Sequence, residues 1–308
     1  MSWLRSVCHG VCQLLWCLEF QRARCRFLYT TPLSDILASH SVNHQLFADD
    51  TQLQKSTPPN DEQSLARDLP LCTDDIKSWV CSSQLKLNED KTEAILFSTL
   101  SLPSDCLPSS VTVGTHQIAF SDKFWNLGFI LDSNLTMKQH VIKVCHTAYY
   151  ELKRISSIRS YLTEDATEKL VTSCVSSRLD YCNSPLMSTP NSVIQPMQEV
   201  QNAAACLILR APCHQHSTPL LQQLHWLPIS ERIKYKTACM CHNSITGSAP
   251  SYLSELLQLY SPSRSLRSSS DTRVLKLRLF NRKTHGFRSF SYLGHHYLEQ
   301  PPPECQTL

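Results

Sequence analysis

The stretch HQLFADDTQLQKS, His44 to Ser56, places two adjacent aspartates, Asp49 and Asp50, between a short apolar run and a polar one. Neighbouring carboxylates repel each other and lose hydration when covered, so the pair is unfavourable unless a cation, a helix start or open water compensates. Leu46 to Ala48 and Thr51 to Gln54 are predicted strands on either side. Both aspartates are therefore expected in a tight hairpin turn, where aspartate tolerates unusual backbone angles.

After this hairpin, predicted helix and strand alternate as far as Asp132. Apolar side chains at four- and three-residue spacing predict a helix, which Pro70 should kink or shorten. That stripe consists of Leu65, Leu69, Cys72, Ile76 and Trp79. Ala94 to Phe97 is a predicted apolar strand, and VTVGTHQIAF and NLGFILD are predicted strands of a further hairpin.

Helical periodicity begins at Thr136 and predicts a bundle of four helices. The first carries basic side chains outside its apolar face. The second begins after Thr163, a predicted N-cap followed by two acids that suit the helix dipole. The third extends from about Val193 to Leu209, although Pro196 requires it to start late or bend. The fourth extends from Ser230 to about Ser244.

Composition favours a folded protein and argues against several kinds of site. The 308 residues are 42% hydrophobic and 18% charged, which is ordinary for a folded chain. The 15 Cys are scattered, so most are expected to be reduced thiols in a cytosolic or nuclear protein. The sequence has no glycine-rich phosphate loop. Neither CMCH (239–242) nor CHQH (213–216) has the second ligand pair of a zinc finger.

The N-terminal apolar run is too short to predict a membrane segment. Val11 to Leu18 is far below the roughly 20 residues that span a bilayer. It also lacks the clean apolar core and the small-residue cleavage site of a signal peptide. We therefore expect neither a membrane span nor a signal peptide.

Positive charge is concentrated near the C-terminus. The stretch from Arg264 to Arg288 contains eight Lys or Arg and one acid, Asp271, although the net charge of the chain is only +3. Such a stretch can meet a phosphate backbone or an acidic partner, or it can be a solvated tail. Leu275, Leu277 and Leu279 alternate with basic residues there and predict an edge strand.

Several segments in a fixed order resemble a known protein family. FADDTQLQKS (47–56), DIKSWVCSSQLKLNEDKTEAILFS (75–98) and NLGFILDSNLTMKQHV (126–141) are similar to the later part of the reverse transcriptase of non-LTR (LINE-type) retrotransposons. LYTTPLSDILASH (28–40) and RLDYCNSPL (178–186) fit the same family. The resemblance extends from about Leu28 to Gly247. Several matches in the family's order are more specific than ADD alone.

The resemblance implies a right-hand polymerase, with a palm sheet that bears aspartates followed by a helical thumb. Asp49 would be the main ligand of Mg²⁺ and Asp50 a second ligand, in a centre that holds two metal ions about 3.5–4 Å apart. Lys91 falls where the family has a lysine near the triphosphate, a proton donor to pyrophosphate. Asn126 to Asp132 would grip the primer strand, and the basic helices would contact an RNA/DNA template–primer. No small-molecule cofactor is expected.

The departure from the family lies upstream of Asp49. The family needs an earlier palm aspartate, on a strand before the fingers-to-palm helix, and a PQGS-like segment. Neither is found, because the only acids before Asp49 are Glu19, which has no family context, and Asp35, which belongs to the PLSDI match. Without the third carboxylate, most of the transition-state stabilisation should be lost. We therefore expect a truncated relic without polymerase activity.

The expected fold class is α+β, in four regions. Residues 1–27 form an unrelated N-terminal segment, 28–135 a partial palm of short antiparallel hairpins with a helix, 136–247 a thumb-like helical region, and 248–308 a basic, loosely ordered Ser/Arg-rich region. Two alternatives remain open beside a catalytically incomplete reverse transcriptase. One is a nucleic-acid-binding remnant that uses the thumb helices and the basic tail. The other is a chain that misfolds because half a palm exposes strand edges.

Overall fold

The computed structural model of the protein describes residues 12–19, 26–47, 50–57, 62–83, 85, 91–97, 110–113, 116–212, 215–257 and 289–299. Within these residues the fold is mixed α/β, with helices and short antiparallel strand pairs. The chain divides into two compact units, residues 1–135 and 136–308.

The first unit contains eight described strands and two described helices. In chain order they are β1 (Cys12–Glu19), α1 (Arg26–Ser39), β2 (Asn43–Phe47), β3 (Asp50–Thr57), α2 (Glu62–Ser82), β4 (Glu93–Phe97), β5 (Ser110–Val113), β6 (His116–Ala119), β7 (Lys123–Asn126) and β8 (Phe129–Asp132).

A four-stranded antiparallel sheet with the order β2-β3-β1-β4 organises this unit. Strand β1 is central: it pairs with β3 from Cys12 to Glu19 and with β4 from Gln13 to Cys17. Its sequence, CQLLWCLE, is an almost continuous apolar run, which suits a strand with neighbours on both sides. We predicted no strand in residues 1–27, so β1 adds to the expected fold.

One face of the sheet covers the core of the unit. Leu53 of β3 is 1% exposed there and belongs to a cluster with the helices, whose buried members include Leu33, Leu37, Cys72, Ile76 and Val80. Burial of Cys72 and Ile76, with Trp79 packed against the same cluster, confirms that part of the predicted stripe, whereas the side chains of Leu65 and Leu69 lie outside what the structure describes. The expectation that Pro70 shortens that helix is wrong, since α2 extends from Glu62 to Ser82. The buried side chains after Pro70 outweigh the one backbone hydrogen bond that proline removes.

The predicted pairing of VTVGTHQIAF with NLGFILD is wrong, because each segment belongs to its own hairpin. Strands β5 and β6 pair within the first segment, and β7, which we did not predict, pairs with β8. Leu127 and Gly128 connect β7 to β8, with φ values of 46° and 82°. Two consecutive positive φ values are typical of the tight turn that joins antiparallel strands directly.

The second unit is helical. Its elements are α3 (Lys138–Ile158), a 3₁₀ turn (Arg159–Tyr161), α4 (Glu164–Val171), a π-helical turn (Thr172–Ser176), α5 (Ser177–Asp180), a 3₁₀ turn (Ser184–Leu186), α6 (Asn191–Leu209), α7 (Ser217–Gln223), α8 (Ile229–Ile245), α9 (Ser251–Ser254) and α10 (Phe290–Glu299).

The predicted helices of this unit are present. Thr163 is extended and its hydroxyl accepts a hydrogen bond from the Ala166 N–H at 3.2 Å, which confirms the predicted N-cap. The late start predicted for the third helix is wrong, because α6 begins at Asn191 and continues through Pro196. It buries an apolar face formed by Val193, Met197, Val200, Ala204 and Ile208.

Arg159, directly after α3, connects the end of that helix to the end of α6 by hydrogen bonds. Its side chain donates to the carbonyl oxygens of Leu207 at 2.9 Å, Ile208 at 2.7 Å and Leu162 at 2.8 Å, and the residue is 8% exposed. Two of these carbonyls lie in the last turn of α6, where helical partners run out. One buried guanidinium therefore satisfies several otherwise unpaired backbone groups.

Helix α10 packs against α8, and the sequence did not predict it. The predicted strand at 275–279 and the basic stretch 264–288 lie outside the described residues. Across the part of the chain that the structure describes, no helix combines the length and apolar character needed to cross a membrane.

Candidate functional site

Asp50, the second of the two adjacent aspartates, lies at the start of β3. Asp50 is the first residue of that strand and pairs with Phe47, the last residue of β2. The predicted hairpin is therefore present, with residues 48 and 49 as its connection. The placement of Asp50 in the turn is wrong, since it is already a strand residue. Asp49 lies outside the described residues.

Glu19 is the register partner of Asp50. The last residue of β1 stands directly opposite the first residue of β3 in the antiparallel ladder. Directly opposite positions lie on the same face of a sheet, with Cβ atoms about 5 Å apart. The fold thus places an acidic residue opposite Asp50, and it comes from a segment for which we expected no functional role.

Lys91 precedes β4 at this same end of the sheet. Strand β4 begins at Glu93, whose partner Cys17 is itself opposite Gln52. Lys91 therefore lies at the end of the sheet where β3 begins, and the central strand β1 separates β3 from β4. The Lys91 side chain is exposed. Of the predicted site residues, Asp50 and Lys91 are brought to one end of one sheet.

The β7–β8 hairpin supplies polar partners to the face that carries Asp50. The side-chain amide of Gln52, two residues after Asp50, exchanges hydrogen bonds with that of Asn126. The Trp125 N–H donates to Glu93 Oε2 at 3.2 Å. Sequence reasoning missed Gln52 and Glu93, although the alternation in TQLQ, with Leu53 in the core, indicates that Gln52 shares the face of Asp50.

The described residues do not by themselves form a two-ion centre. Carboxylates are the hard oxygen ligands that Mg²⁺ prefers. However, among the residues that the structure describes, no three His, Cys, Asp or Glu side chains are grouped as metal ligands would be. Asp50 with Glu19 as its register neighbour gives two acidic positions, and the main predicted ligand, Asp49, falls outside the described part of the chain.

The buried cysteines Cys72, Cys145 and Cys241 are not suited to act as nucleophiles. Burial raises the pKa of Cys72 and of Cys145 to about 11 and that of Cys241 to about 12. A thiol nucleophile needs a lowered pKa and access to solvent. These three cysteines are therefore structural.

In the second unit, helix α3 presents a surface that we call the basic face. It is formed by Lys138, Lys143, Lys153 and Arg154 together with Ile142, His146, Tyr149 and Tyr150, all of them exposed. None of the three lysines forms a salt bridge with another described residue. The one acid of the helix, Glu151, has a side chain only 14% exposed, and it pairs with Arg154 at 3.2 Å and Arg178 at 3.4 Å.

Comparison with known proteins gives no relative: no family model matches the chain, and no curated protein or solved structure matches it.

Proposed function

We propose that the protein derives from a non-LTR retrotransposon reverse transcriptase and now binds nucleic acid through the basic face of α3 without polymerising it. One observation carries the binding proposal. A helix of 21 residues exposes four Lys or Arg side chains, and its single carboxylate, that of Glu151, pairs with only one of them, Arg154, and with Arg178. Phosphate contacts from such cations supply most of the affinity for a nucleic-acid backbone.

The geometry of the basic face suits a run of phosphates. Lys143 and Arg154 are eleven residues apart, about 16 Å along the helix axis. Consecutive phosphates of one strand of duplex DNA are spaced by about 3.4 Å along its axis, so this length corresponds to a few phosphates. The unpaired lysines need not break an ion pair before they meet one.

Aromatic side chains lie between these cations. Tyr149 is 44% exposed and Tyr150 is 57% exposed. The Arg154 guanidinium lies 5.9 Å from the centroid of the Tyr150 ring, a cation–π distance that holds both groups at the surface. Exposed rings beside cations can stack on unpaired bases, which adds to phosphate binding without sequence preference.

The proposed lack of polymerase activity rests on the acidic positions of the first unit. Strand β1 precedes helix α1 and pairs with β3, as the strand that bears the first palm aspartate would in the family. The residue beside Asp50 is Glu19, whose side chain is one methylene longer than aspartate. The extra methylene would displace the carboxylate, and a displacement of about 1 Å in a catalytic group can lower a reaction rate by about 10²-fold. The family's PQGS-like segment is also missing.

The binding proposal is tested by the salt dependence of affinity for a labelled duplex, measured by fluorescence anisotropy on the full chain. With four cations in contact, log K should fall against log salt with a slope of about −3 to −4. Lys153→Glu should reduce the size of that slope by about 1 and weaken binding several-fold at low salt.

Lys169→Glu is the matched control, because Lys169 is exposed on α4, away from the basic face, and pairs with Asp165 at 2.8 Å. Its affinity and slope should equal those of the native chain. Affinity that does not change with salt, or an equal loss in both variants, would reject the basic face as the binding surface.

The absence of polymerase activity is tested by primer extension on an RNA template with Mg²⁺. We expect no extension by the native chain. Extension that disappears in both Asp49→Ala and Glu19→Gln would instead establish Glu19 as the third carboxylate of a working centre. Glu19→Asp is the informative companion, because a gain of extension would show that the longer side chain is what prevents catalysis.

A further inference from the structure

A cleft of about 310 Å³ opens in the helical unit, remote in sequence from the basic face. It lies between the π-helical turn, the loop before α8 and the first half of α8. Its lining combines aromatic rings, cations and hydroxyls; the residues that matter are Thr172, Ser176, Trp226, Arg232, Tyr235 and Lys236. The volume is at the lower end of the range typical of small-molecule sites, about 300–1,000 Å³.

The cations of the cleft are held in place by Asp180. The Arg232 guanidinium pairs with the Asp180 carboxylate, and Lys236 Nζ donates to the Asp180 backbone carbonyl at 2.7 Å. An ammonium has three N–H donors, so this bond leaves two of them for a ligand. Two cations against one carboxylate give the lining a net positive charge.

A serine hydroxyl lies in the wall of the cleft. Ser176 is 5% exposed, and its hydroxyl can donate to a ligand or accept from one. Ser176 belongs to the π-helical turn, a rare element that occurs often at functional sites.

The aromatic wall is rigidly positioned. Trp226 N–H donates to the Leu221 carbonyl at 2.8 Å, and the neighbouring His225 adopts a positive φ of 54°. The Gln201 side chain donates to the Leu227 carbonyl at 2.9 Å, and Gln198 Oε1 accepts from the Ile229 N–H at 2.9 Å. The loop is thus bonded to α6 at Leu227 and Ile229, so the backbone that carries the ring needs little ordering when a ligand binds.

We propose that this cleft binds one nucleotide, with its base against the Trp226 and Tyr235 rings and its phosphate near Lys236. Aromatic rings recognise the face of a base, and cations recognise the phosphate. A free nucleotide and an unpaired nucleotide of a strand share this chemistry, and the experiment below distinguishes them. The second case rests on the proposed nucleic-acid binding, and the first does not.

The test is a titration of the full chain with AMP, followed by tryptophan fluorescence and by calorimetry, with adenosine and inorganic phosphate as partial ligands. Tyr235 is 63% exposed, so Tyr235→Ala should fold normally and bind AMP about tenfold more weakly. Tyr252→Ala is its control, since Tyr252 is 60% exposed on α9, outside the cleft. Lys236→Gln should also weaken AMP about tenfold but leave adenosine unchanged.

Lys234→Gln is the control for the charge, because Lys234 lies on the same helix and pairs with Glu231 at 2.7 Å. A labelled short oligonucleotide forms the second arm. Weaker binding of both AMP and oligonucleotide in Tyr235→Ala supports the cleft as a site for a strand, and weaker binding of AMP alone supports a free nucleotide.

Absence of AMP binding, or equal losses in the controls, overturns the inference. The outcome for the basic face is separate, because Lys153→Glu should change duplex affinity and leave the AMP titration unaltered. Duplex binding without AMP binding rejects the cleft alone, and AMP binding without duplex binding rejects the basic face alone.

Discussion

The charged residues of the sheet unit come from several strands, whereas those of the basic face come from one helix. In the sheet unit, Asp50, Glu19 and Lys91 meet at one end of one sheet, and each comes from a different strand or its approach. In the helical unit, the cations of the basic face all belong to a single helix. A site built across strands depends on register, whereas a helical face depends only on periodicity. A change of register in one strand therefore disrupts the first arrangement and leaves the second intact.

The largest effect is expected from a truncation in the sheet unit. Phe124 of β7 is 0% exposed, so Phe124→Ala should lower the free energy of unfolding of that unit by about 3–5 kcal/mol. Trp125→Ala, at a neighbour that is 46% exposed, is the control and should cost much less. Urea denaturation followed by circular dichroism measures both. We expect two unfolding transitions, one for each unit, and only that of the sheet unit should shift. A single transition that shifts as a whole would contradict the independence of the two units.

Removal of the Arg159 anchor should act on the helical unit by a different mechanism. Arg159→Met keeps much of the side-chain volume but leaves the carbonyls of Leu207, Ile208 and Leu162 without their donor. We expect a loss of about 3–4 kcal/mol, since buried acceptors that lose a charged donor are costly. Denaturation midpoints give the value. Arg154→Met, at an exposed site, should change stability by less than about 1 kcal/mol, and equal losses would contradict the anchor.

Acid should destabilise the helical unit through His140. Burial lowers the pKa of this residue, which is 2% exposed, from 6.5 to about 4. The unfolded chain therefore binds a proton at a higher pH than the folded chain, so stability is complete above about pH 6.5 and falls as the pH drops towards 4. The loss from this group is about 3 kcal/mol. His140→Gln should flatten the pH dependence of the midpoint, while the exposed His146→Gln should not.

The smallest effect is expected at the N-cap of α4. Thr163→Ala removes the acceptor of the Ala166 N–H and should cost about 1 kcal/mol, while Thr163→Ser should restore most of it. Chemical denaturation distinguishes the two variants. A serine variant as unstable as the alanine variant would show that the hydroxyl does not cap the helix.

Local chemistry explains which parts of the fold were predictable. The Thr163 cap, the hairpin around Asp49 and the helix α8 follow from residues a few positions apart. Pro70 and Pro196 misled the prediction because tertiary burial of Cys72, Ile76 and Val200 outweighs one missing hydrogen bond. Propensity is local, but the free energy that overrides it comes from packing.

The candidate site was predictable only in part for the same reason. Asp50 and Lys91 follow from the resemblance to a family and from the chemistry of their side chains. Strand register brings Glu19 opposite Asp50, and tertiary packing brings Gln52 to Asn126. Each contact joins residues thirty or more positions apart in the sequence. An apolar run such as CQLLWCLE indicates a strand, but it does not indicate with which other strands that strand pairs. The cleft around Tyr235 depends likewise on how α5 and α8 meet.

The contact between α10 and α8 adds a helix from near the C-terminus to the helical unit. Phe290 and Leu293 are buried, and Gly294 lies so close to Leu257 and Cys241 that a methyl group there would collide with the leucine. These contacts must offset the entropic cost of bringing two distant parts of the chain together, a cost that grows only slowly with their separation in sequence.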